Sequence, residues 1–150
     1  MSFCDCAPPK AVFFDLPKAT VEMPHAFELL QGLAAQDVYI GIISNGAHAT
    51  REATVRATRF APLIKTLVSS ESFGCKKPNA DIVIDTARKA GFAPEECTYV
   101  GDHPINDAWG SYHAGMQPVL LKGFQPMAPL PPGCWVVEGL GDLIGGFGRG

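Results

Sequence analysis

The chain has 150 residues, 47% of them hydrophobic, and its 12 basic and 15 acidic side chains give a formal net charge of −3. This length and composition predict one globular domain with a single sizeable core. Without an excess of basic residues, no nucleic-acid partner is expected. Without an apolar segment of membrane-spanning length or a signal-peptide pattern, we expect a cytoplasmic protein with no membrane partner. The five scattered cysteines are typical of reduced thiols.

Short apolar runs alternate with amphipathic segments along the chain. Strands are predicted at residues 11–14, 38–43, 67–68, 98–101 and 118–121, with an edge strand at 135–137. Helices are predicted from Pro24 onward, at 48–60, at 79–89, at about 105–113 and, as a short helix, at 140–144. Because strands and helices alternate at short spacing, we predict a three-layer, Rossmann-like α/β fold with a mostly parallel central sheet.

The domain predicted from this pattern spans residues 11–144. Residues 1–10 are predicted to form an N-terminal extension. Residues 145–150 are glycine-rich and superficially match a dinucleotide fingerprint, but no predicted strand leads into them and no helix follows. We therefore interpret them as a flexible tail.

Polar side chains stand where the predicted strands end. Asp15 follows the first strand, Ser44 the second, Lys77 lies in a loop before a helix, and Asp102 and Asp107 follow the strand at 98–101. Each residue also has an ordinary interpretation as a turn, helix-entry or helix-cap residue. Because the carboxyl ends of parallel strands meet at one edge of a sheet, their joint order predicts a ligand site. The pair of carboxylates, five residues apart, suits a hard cation and a phosphate.

Several other conspicuous side chains are interpreted as structural. The histidines are expected at the surface or in packing contacts, the two aromatic residues against the sheet, and the two arginines on a solvated helix face: His103, His113, Trp109, Tyr112, Arg51 and Arg56.

The polar residues at the predicted strand ends carry a resemblance to a known family. Over about residues 10–124, the chain resembles the haloacid dehalogenase-like hydrolases. The first motif of that family resembles residues 12–16, the second residues 42–46 and the third residues 76–78. The fourth, Gly-Asp-His-Pro-Ile-Asn-Asp at 101–107, is the most specific and is similar to that of a phosphatase-rich subfamily. The resemblance implies the Rossmann-like core of this family.

The resemblance also implies a reaction with small phosphorylated or other anionic substrates. Asp15 would be the nucleophile that forms a covalent aspartyl intermediate, which water then hydrolyses. Ser44 and the neighbouring Asn45 and Gly46 would hydrogen-bond the phosphoryl group, and Lys77 would offset its negative charge.

A metal ion is the cofactor that the resemblance implies. Asp15, Asp102 and the main-chain carbonyl of Pro17 would ligate Mg²⁺, and Asp107 would orient that shell. An anionic nucleophile cannot approach an anionic phosphate unless cations reduce the repulsion.

The first motif departs from the pattern of the phosphatases. They carry a second aspartate two residues after the nucleophile, whereas this chain has Pro17, followed by Lys18 and Ala19. Pro17 cannot donate a proton to the leaving alkoxide, and such a general acid commonly contributes a factor of about 10²–10⁴ in rate.

A second departure is the short segment between Asp15 and Ser44. It has room for one helix and none for the helical cap domain of many relatives, so we predict an open site. Recognition would then need another subunit, as in a homo-oligomer, a macromolecular substrate, or the proline-rich loop at 125–133.

Three functions remain open at this point, and so does whether the chain is an active enzyme. The first is a Mg²⁺-dependent phosphate hydrolase with impaired or unusual acid–base chemistry. The second is a non-catalytic relative that keeps the pocket as a binding or assembly module. The third is a hydrolase of carbon–halogen or carbon–phosphorus bonds, because such relatives also lack an aspartate at the position of Pro17.

Overall fold

The computed structural model describes residues 9–15 and 23–146. The predictions for Pro17, Lys18 and Ala19 therefore fall outside the described residues, as do those for residues 1–8 of the extension and 147–150 of the tail. Among the helices described, none is long and apolar enough to cross a membrane.

Six parallel strands form one sheet in the order β3-β2-β1-β4-β5-β6. The strands are β1 (Ala11–Phe14), β2 (Tyr39–Ser44), β3 (Thr66–Ser69), β4 (Cys97–Gly101), β5 (Gln117–Leu121) and β6 (Trp135–Val137). The predicted parallel α/β architecture is confirmed. β1 is central and pairs with both β2 and β4, so Phe14 lies opposite Ile42 on one side and Val100 on the other.

The α-helices are α1 (Ala26–Ala35), α2 (His48–Arg56), α3 (Ser70–Phe73), α4 (Ala80–Lys89) and α5 (Gly110–Ala114). Short 3-10 turns occur at Ala61–Leu63, Pro94–Glu96 and Leu140–Leu143. The predicted segment at 48–60 is thus an α-helix that ends at Arg56 and is followed by a 3-10 turn.

Two cores cover the two faces of the sheet. Val12 and Phe14 pack with Leu30 of α1 on one face, whereas Phe13 packs with Ile82 of α4 on the other. Because successive side chains of a strand point to opposite faces, a strand covered on both faces must be apolar throughout. All four residues of β1 are accordingly buried.

The predicted helix at 105–113 differs in its first half. Residues Pro104–Trp109 form a π-helical turn, and only Gly110–Ala114 is α-helical. Pro104 has no N–H to donate, and the carbonyl of His103 accepts hydrogen bonds from both Asp107 N and Ala108 N, at 2.9 and 3.2 Å. The wider turn follows from this shared acceptor.

Two of the structural expectations are wrong. Tyr112 is exposed instead of buried against the sheet, and it meets Trp109 edge-on. The Trp109 indole N–H donates to Pro129 O at 2.7 Å, so Trp109 contacts the proline-rich loop. Arg51 is half-buried, and its guanidinium donates to the carbonyl of Asn45 from Nε and Nη2, at 3.1 and 2.7 Å.

Candidate active site

The predicted site residues meet at the carboxyl edge of the sheet. Asp15 directly follows β1, where its amide donates to Val100 O, and Asp102 directly follows the adjacent β4. Asp107 lies on the π-helical turn behind them. One carboxylate oxygen from each of these three residues lies within 4.8 Å of the others.

Lys77 is the cation of this cluster, and it is almost wholly buried, with 1% of its side chain exposed. Its ammonium group lies 2.6 Å from Asp107 Oδ1 and 3.3 Å from Asp15 Oδ1. It also donates to Ile43 O at 3.1 Å and to the Tyr99 hydroxyl at 2.6 Å. A buried ammonium needs such a complete set of acceptors, because an unpaired buried charge is strongly unfavourable.

Both oxygens of Asp107 already accept hydrogen bonds. Oδ1 takes the Lys77 ammonium, and Oδ2 takes the amide of His103 at 3.0 Å. Gly101 provides the space for this carboxylate, since a Cβ atom on Gly101 would lie 2.3 Å from Asp107 Oδ2. This arrangement suits the orienting role predicted for Asp107.

The three carboxylates repel one another. Burial, followed by the charge of Asp107, raises the pKa of Asp15 to about 7, although Lys77 opposes the change. Burial and the same charge also raise the pKa of Asp102 above its ordinary value. In the protein without a metal ion, therefore, the Asp15 carboxyl is partly protonated near neutral pH.

The donor set fits a divalent cation. Carboxylate oxygens are the ligands that Mg²⁺ prefers, and three of them lie close together here, two of them paired with the Lys77 ammonium group. Burial and then the negative charge of Asp107 raise the pKa of both carboxyls, and a cation between Asp15 and Asp102 would favour their ionised forms. Asp15 and Asp102 would hold it, with Asp107 behind them, and the predicted Pro17 ligand lies outside the described residues.

Ser44 offers an unused hydroxyl beside this cluster. Its side chain is 1% exposed, and Oγ has no hydrogen-bond partner within the described part of the chain. A buried hydroxyl without a partner is unfavourable, so a ligand oxygen at this point would satisfy it. This supports the predicted contact between Ser44 and a phosphoryl group.

Asn45 and Gly46, also predicted to bind substrate, make contacts within the protein. The Asn45 side chain accepts from Lys77 N at 2.9 Å and donates to Lys77 O at 3.0 Å. The Gly46 amide donates to Ser70 Oγ at 2.8 Å. Asn45 thus joins the second motif to the third, and the substrate contacts of both residues remain predictions.

Two functional neighbours were not found from the sequence. Tyr99 lies in the middle of β4, where the sequence pattern predicts a core residue, yet its hydroxyl accepts a hydrogen bond from Lys77. Arg51 is predicted to lie on a solvated helix face, yet its guanidinium donates to the main-chain carbonyl of Asn45 in the second motif. Only the alternation of β4, which places Tyr99 on the same face as Gly101, offered a signal.

Comparison with known proteins agrees with the motifs. A sequence model of haloacid dehalogenase-like hydrolases matches residues 10–121. The glyceraldehyde 3-phosphate phosphatase of Methanopyrus kandleri is 31% identical over 108 residues, which are 71% of this chain and 46% of that protein. The chain thus spans about half the length of the curated relatives it matches.

Solved structures show the same fold. A haloacid dehalogenase-superfamily hydrolase from Ehrlichia chaffeensis superposes with a TM-score of 0.78 at 14% identity, covering 93% of this chain and 96% of that one. A hydrolase of the superfamily from Bacillus subtilis, bound to magnesium, superposes with a TM-score of 0.74 at 23% identity, covering 84% and 56%.

Proposed function

The chain belongs to the haloacid dehalogenase-like hydrolases, and on that premise we propose that it is a Mg²⁺-dependent phosphate-ester hydrolase that works through an aspartyl intermediate. The observation that carries the proposal is the cluster of three carboxylates, Asp15, Asp102 and Asp107. The buried Lys77 pairs with two of them, Asp15 and Asp107. The named phosphatase activity of the Methanopyrus relative and the magnesium in the Bacillus hydrolase support it.

The proposed reaction has two displacements at phosphorus. A carboxylate oxygen of Asp15 attacks the phosphoryl group, the ester oxygen leaves with the bonding electron pair, and an acyl phosphate forms. Water then attacks that phosphoryl group, which releases inorganic phosphate and regenerates the carboxylate. The bound Mg²⁺ would supply positive charge that offsets repulsion between the two anions.

The protein's own groups prepare this attack. Lys77 places its ammonium group 3.3 Å from Asp15 and so favours the ionised form of the nucleophile. Asp107 keeps Lys77 in place, and Ser44 directs an unused hydroxyl that can donate to a phosphoryl oxygen.

Pro17 limits the rate in the proposed mechanism, because it supplies no proton to the leaving oxygen. Leaving groups of low pKa, such as aryl oxides, need that proton least. We expect slow hydrolysis of an aryl phosphate and still slower hydrolysis of an alkyl phosphate. Pro17→Asp should then raise the alkyl rate more than the aryl rate, by up to about 10²-fold.

The decisive experiment is a phosphatase screen with Mg²⁺ that compares wild type, Asp15→Asn and Pro17→Asp. Turnover that Asp15→Asn abolishes supports the proposal. Rapid wild-type turnover of alkyl phosphates would mean that another group donates the proton. Activity that persists in Asp15→Asn would contradict the proposed nucleophile.

The same proline favours a second candidate, a non-catalytic module that binds Mg²⁺ and a phosphate-bearing partner. Binding of Mg²⁺ and inorganic phosphate by calorimetry, without turnover of any ester by wild type, would support that alternative. The third reading, hydrolysis of a carbon–halogen or carbon–phosphorus bond, predicts halide or phosphate release from such compounds in the same screen.

A site without a cap needs other groups to recognise its substrate. Among the described residues between Asp15 and Ser44, α1 is the only helix, so we propose that the site has no cap domain. Small phosphorylated or other anionic substrates would then be recognised with the help of a second subunit or of the proline-rich loop, which Trp109 holds through Pro129.

A further inference from the structure

Tyr99 has a hydroxyl group buried inside the candidate site. The residue is 1% exposed, and its oxygen lies 2.6 Å from Lys77 Nζ and 2.8 Å from Ile43 O. Burial raises the pKa of this phenol well above its ordinary value, so the hydroxyl is neutral and carries one proton.

The direction of each hydrogen bond follows from the donors available. A lysine ammonium has three protons and no acceptor, whereas a phenol can donate once and accept. Tyr99 therefore accepts from Lys77 and donates its own proton to Ile43 O.

Lys77 has four oxygen neighbours for its three protons. Two of them, the Tyr99 hydroxyl and Asp107 Oδ1, lie at 2.6 Å, Ile43 O lies at 3.1 Å, and Asp15 Oδ1 is the most distant at 3.3 Å. The short contacts are typical of charge-assisted hydrogen bonds, and the contact with Asp15 is longer than that range. The ammonium group thus lies beside Asp15, but its protons are directed mainly at the Tyr99 hydroxyl, Asp107 Oδ1 and Ile43 O.

We propose that Tyr99 is a positioning residue for the reaction: by accepting one ammonium proton of Lys77, its hydroxyl keeps that proton from Asp15. Lys77 then lowers the charge repulsion at the site without occupying the nucleophilic oxygen in a short hydrogen bond. Without the Tyr99 hydroxyl, the freed proton would turn to Asp15, and the carboxylate would become a weaker nucleophile. The effect on turnover rests on the proposed function, whereas the effect on geometry does not.

The test variant is Tyr99→Phe, which removes the hydroxyl and keeps the ring that lies 5.1 Å from Lys77 Nζ. Tyr39→Phe is the matched control. Tyr39 lies at the start of β2, at the opposite end of that strand from Ser44, and its hydroxyl is bonded to Thr66. Both variants lose one buried or half-buried tyrosine hydroxyl, but only Tyr99→Phe alters the partners of Lys77.

Two measurements decide the proposal. In a crystal structure of Tyr99→Phe, the separation of Lys77 Nζ and Asp15 Oδ1 should shorten to about 2.8 Å. In steady-state kinetics with Mg²⁺ and an aryl phosphate, kcat should fall about tenfold with little change in KM, as expected when one hydrogen bond to a charged group is redirected. Tyr39→Phe should leave both quantities unchanged.

An unchanged Lys77–Asp15 separation in Tyr99→Phe would overturn the proposal, and so would an equal loss of kcat in both variants. If wild type hydrolyses no phosphate ester, the proposed function fails, and the crystallographic distance alone decides the role of Tyr99.

Discussion

At Asp15 the fold holds a carboxyl group where burial and two other carboxylates oppose its charge. A carboxyl whose pKa is higher in the folded state than in the unfolded chain binds its proton more tightly in the folded state. Its contribution to stability is present below its ordinary pKa of about 4 and is lost as the pH rises through about 7. The ionised Asp15 carboxylate is thus a destabilising feature of the metal-free protein.

Asp15→Asn should remove the loss of stability that accompanies ionisation of Asp15. In chelator-treated protein, we expect the free energy of unfolding of wild type to fall between about pH 4 and pH 7, with an upper limit of about 4 kcal/mol from Asp15. The variant should show a smaller decrease and be more stable than wild type near neutral pH. Urea denaturation across this pH range measures both, and an identical pH dependence in the two proteins would contradict the prediction.

Gly101 is a second residue of the site, and it leaves no room for a Cβ atom. An added Cβ would lie 2.3 Å from Asp107 Oδ2, so Gly101→Ala must displace that carboxylate. We expect a loss of about 1–3 kcal/mol in unfolding free energy, the usual range for an overpacked core, together with weaker Mg²⁺ binding.

Gly32→Ala is the control for Gly101→Ala. Gly32 lies within α1, and no atom comes within 4 Å of a Cβ placed there. Alanine should stabilise this helix by up to about 1 kcal/mol. If both variants lose stability equally under chemical denaturation, the close contact with Asp107 is not the cause.

At the scale of elements, β1, β2, β4 and β5 form within one residue of the segments predicted from apolar runs. Their polar ends coincide with the site, because buried parallel strands carry a clear signal and end at one edge. What the sequence could not show is contacts between distant segments. Tyr99 and Lys77 are 22 residues apart, and their bond depends on how β4 and the loop before α4 meet.

The first turn after β4 shows a second limit of sequence patterns. Spacing predicts a continuous helix at 105–113, but the start of that element depends on a histidine acting as a cap. His103 Nδ1 accepts from Ile105 N and Asn106 N, at 3.2 and 3.1 Å. Histidine is not among the residues that helix-start rules favour at this position, so the sequence did not indicate that His103 begins this element.

His103→Ala should therefore lower the unfolding free energy by about 1 kcal/mol, the usual cost of losing an N-cap side chain. His103→Asn should retain most of the stability, because asparagine is a good N-cap. Both substitutions keep the main-chain bond from His103 N to Asp107, so Mg²⁺ affinity should not change. Chemical denaturation and calorimetry measure the two effects, and a loss of Mg²⁺ binding in His103→Asn would contradict this assignment.

For the whole molecule, a bound cation would couple the site to global stability. A ligand that binds only the folded state at 100 times its Kd stabilises it by about 2.7 kcal/mol. For a chain of this size that corresponds to a rise of roughly 5–10 °C in Tm. Thermal unfolding with and without Mg²⁺ measures it.

Asp102→Ala should reduce this rise, whereas Asp85→Ala should not. Asp85 is a matched carboxylate on α4 whose partner is the exposed Lys89. An Mg²⁺ effect that is the same in both variants would place the cation elsewhere, and no Mg²⁺ effect in wild type would argue against a metal site in this cluster.

The strand order has a consequence for the growing polypeptide. β1 is made first but lies between β2 and β4, and β4 is separated from it by most of the chain. A nascent chain that has reached only β3 can pair one edge of β1, while the other edge stays open to wrong partners. Asp15 and Asp102 meet only once β4 closes that edge, so the carboxylate cluster cannot assemble on a ribosome-bound fragment that lacks β4.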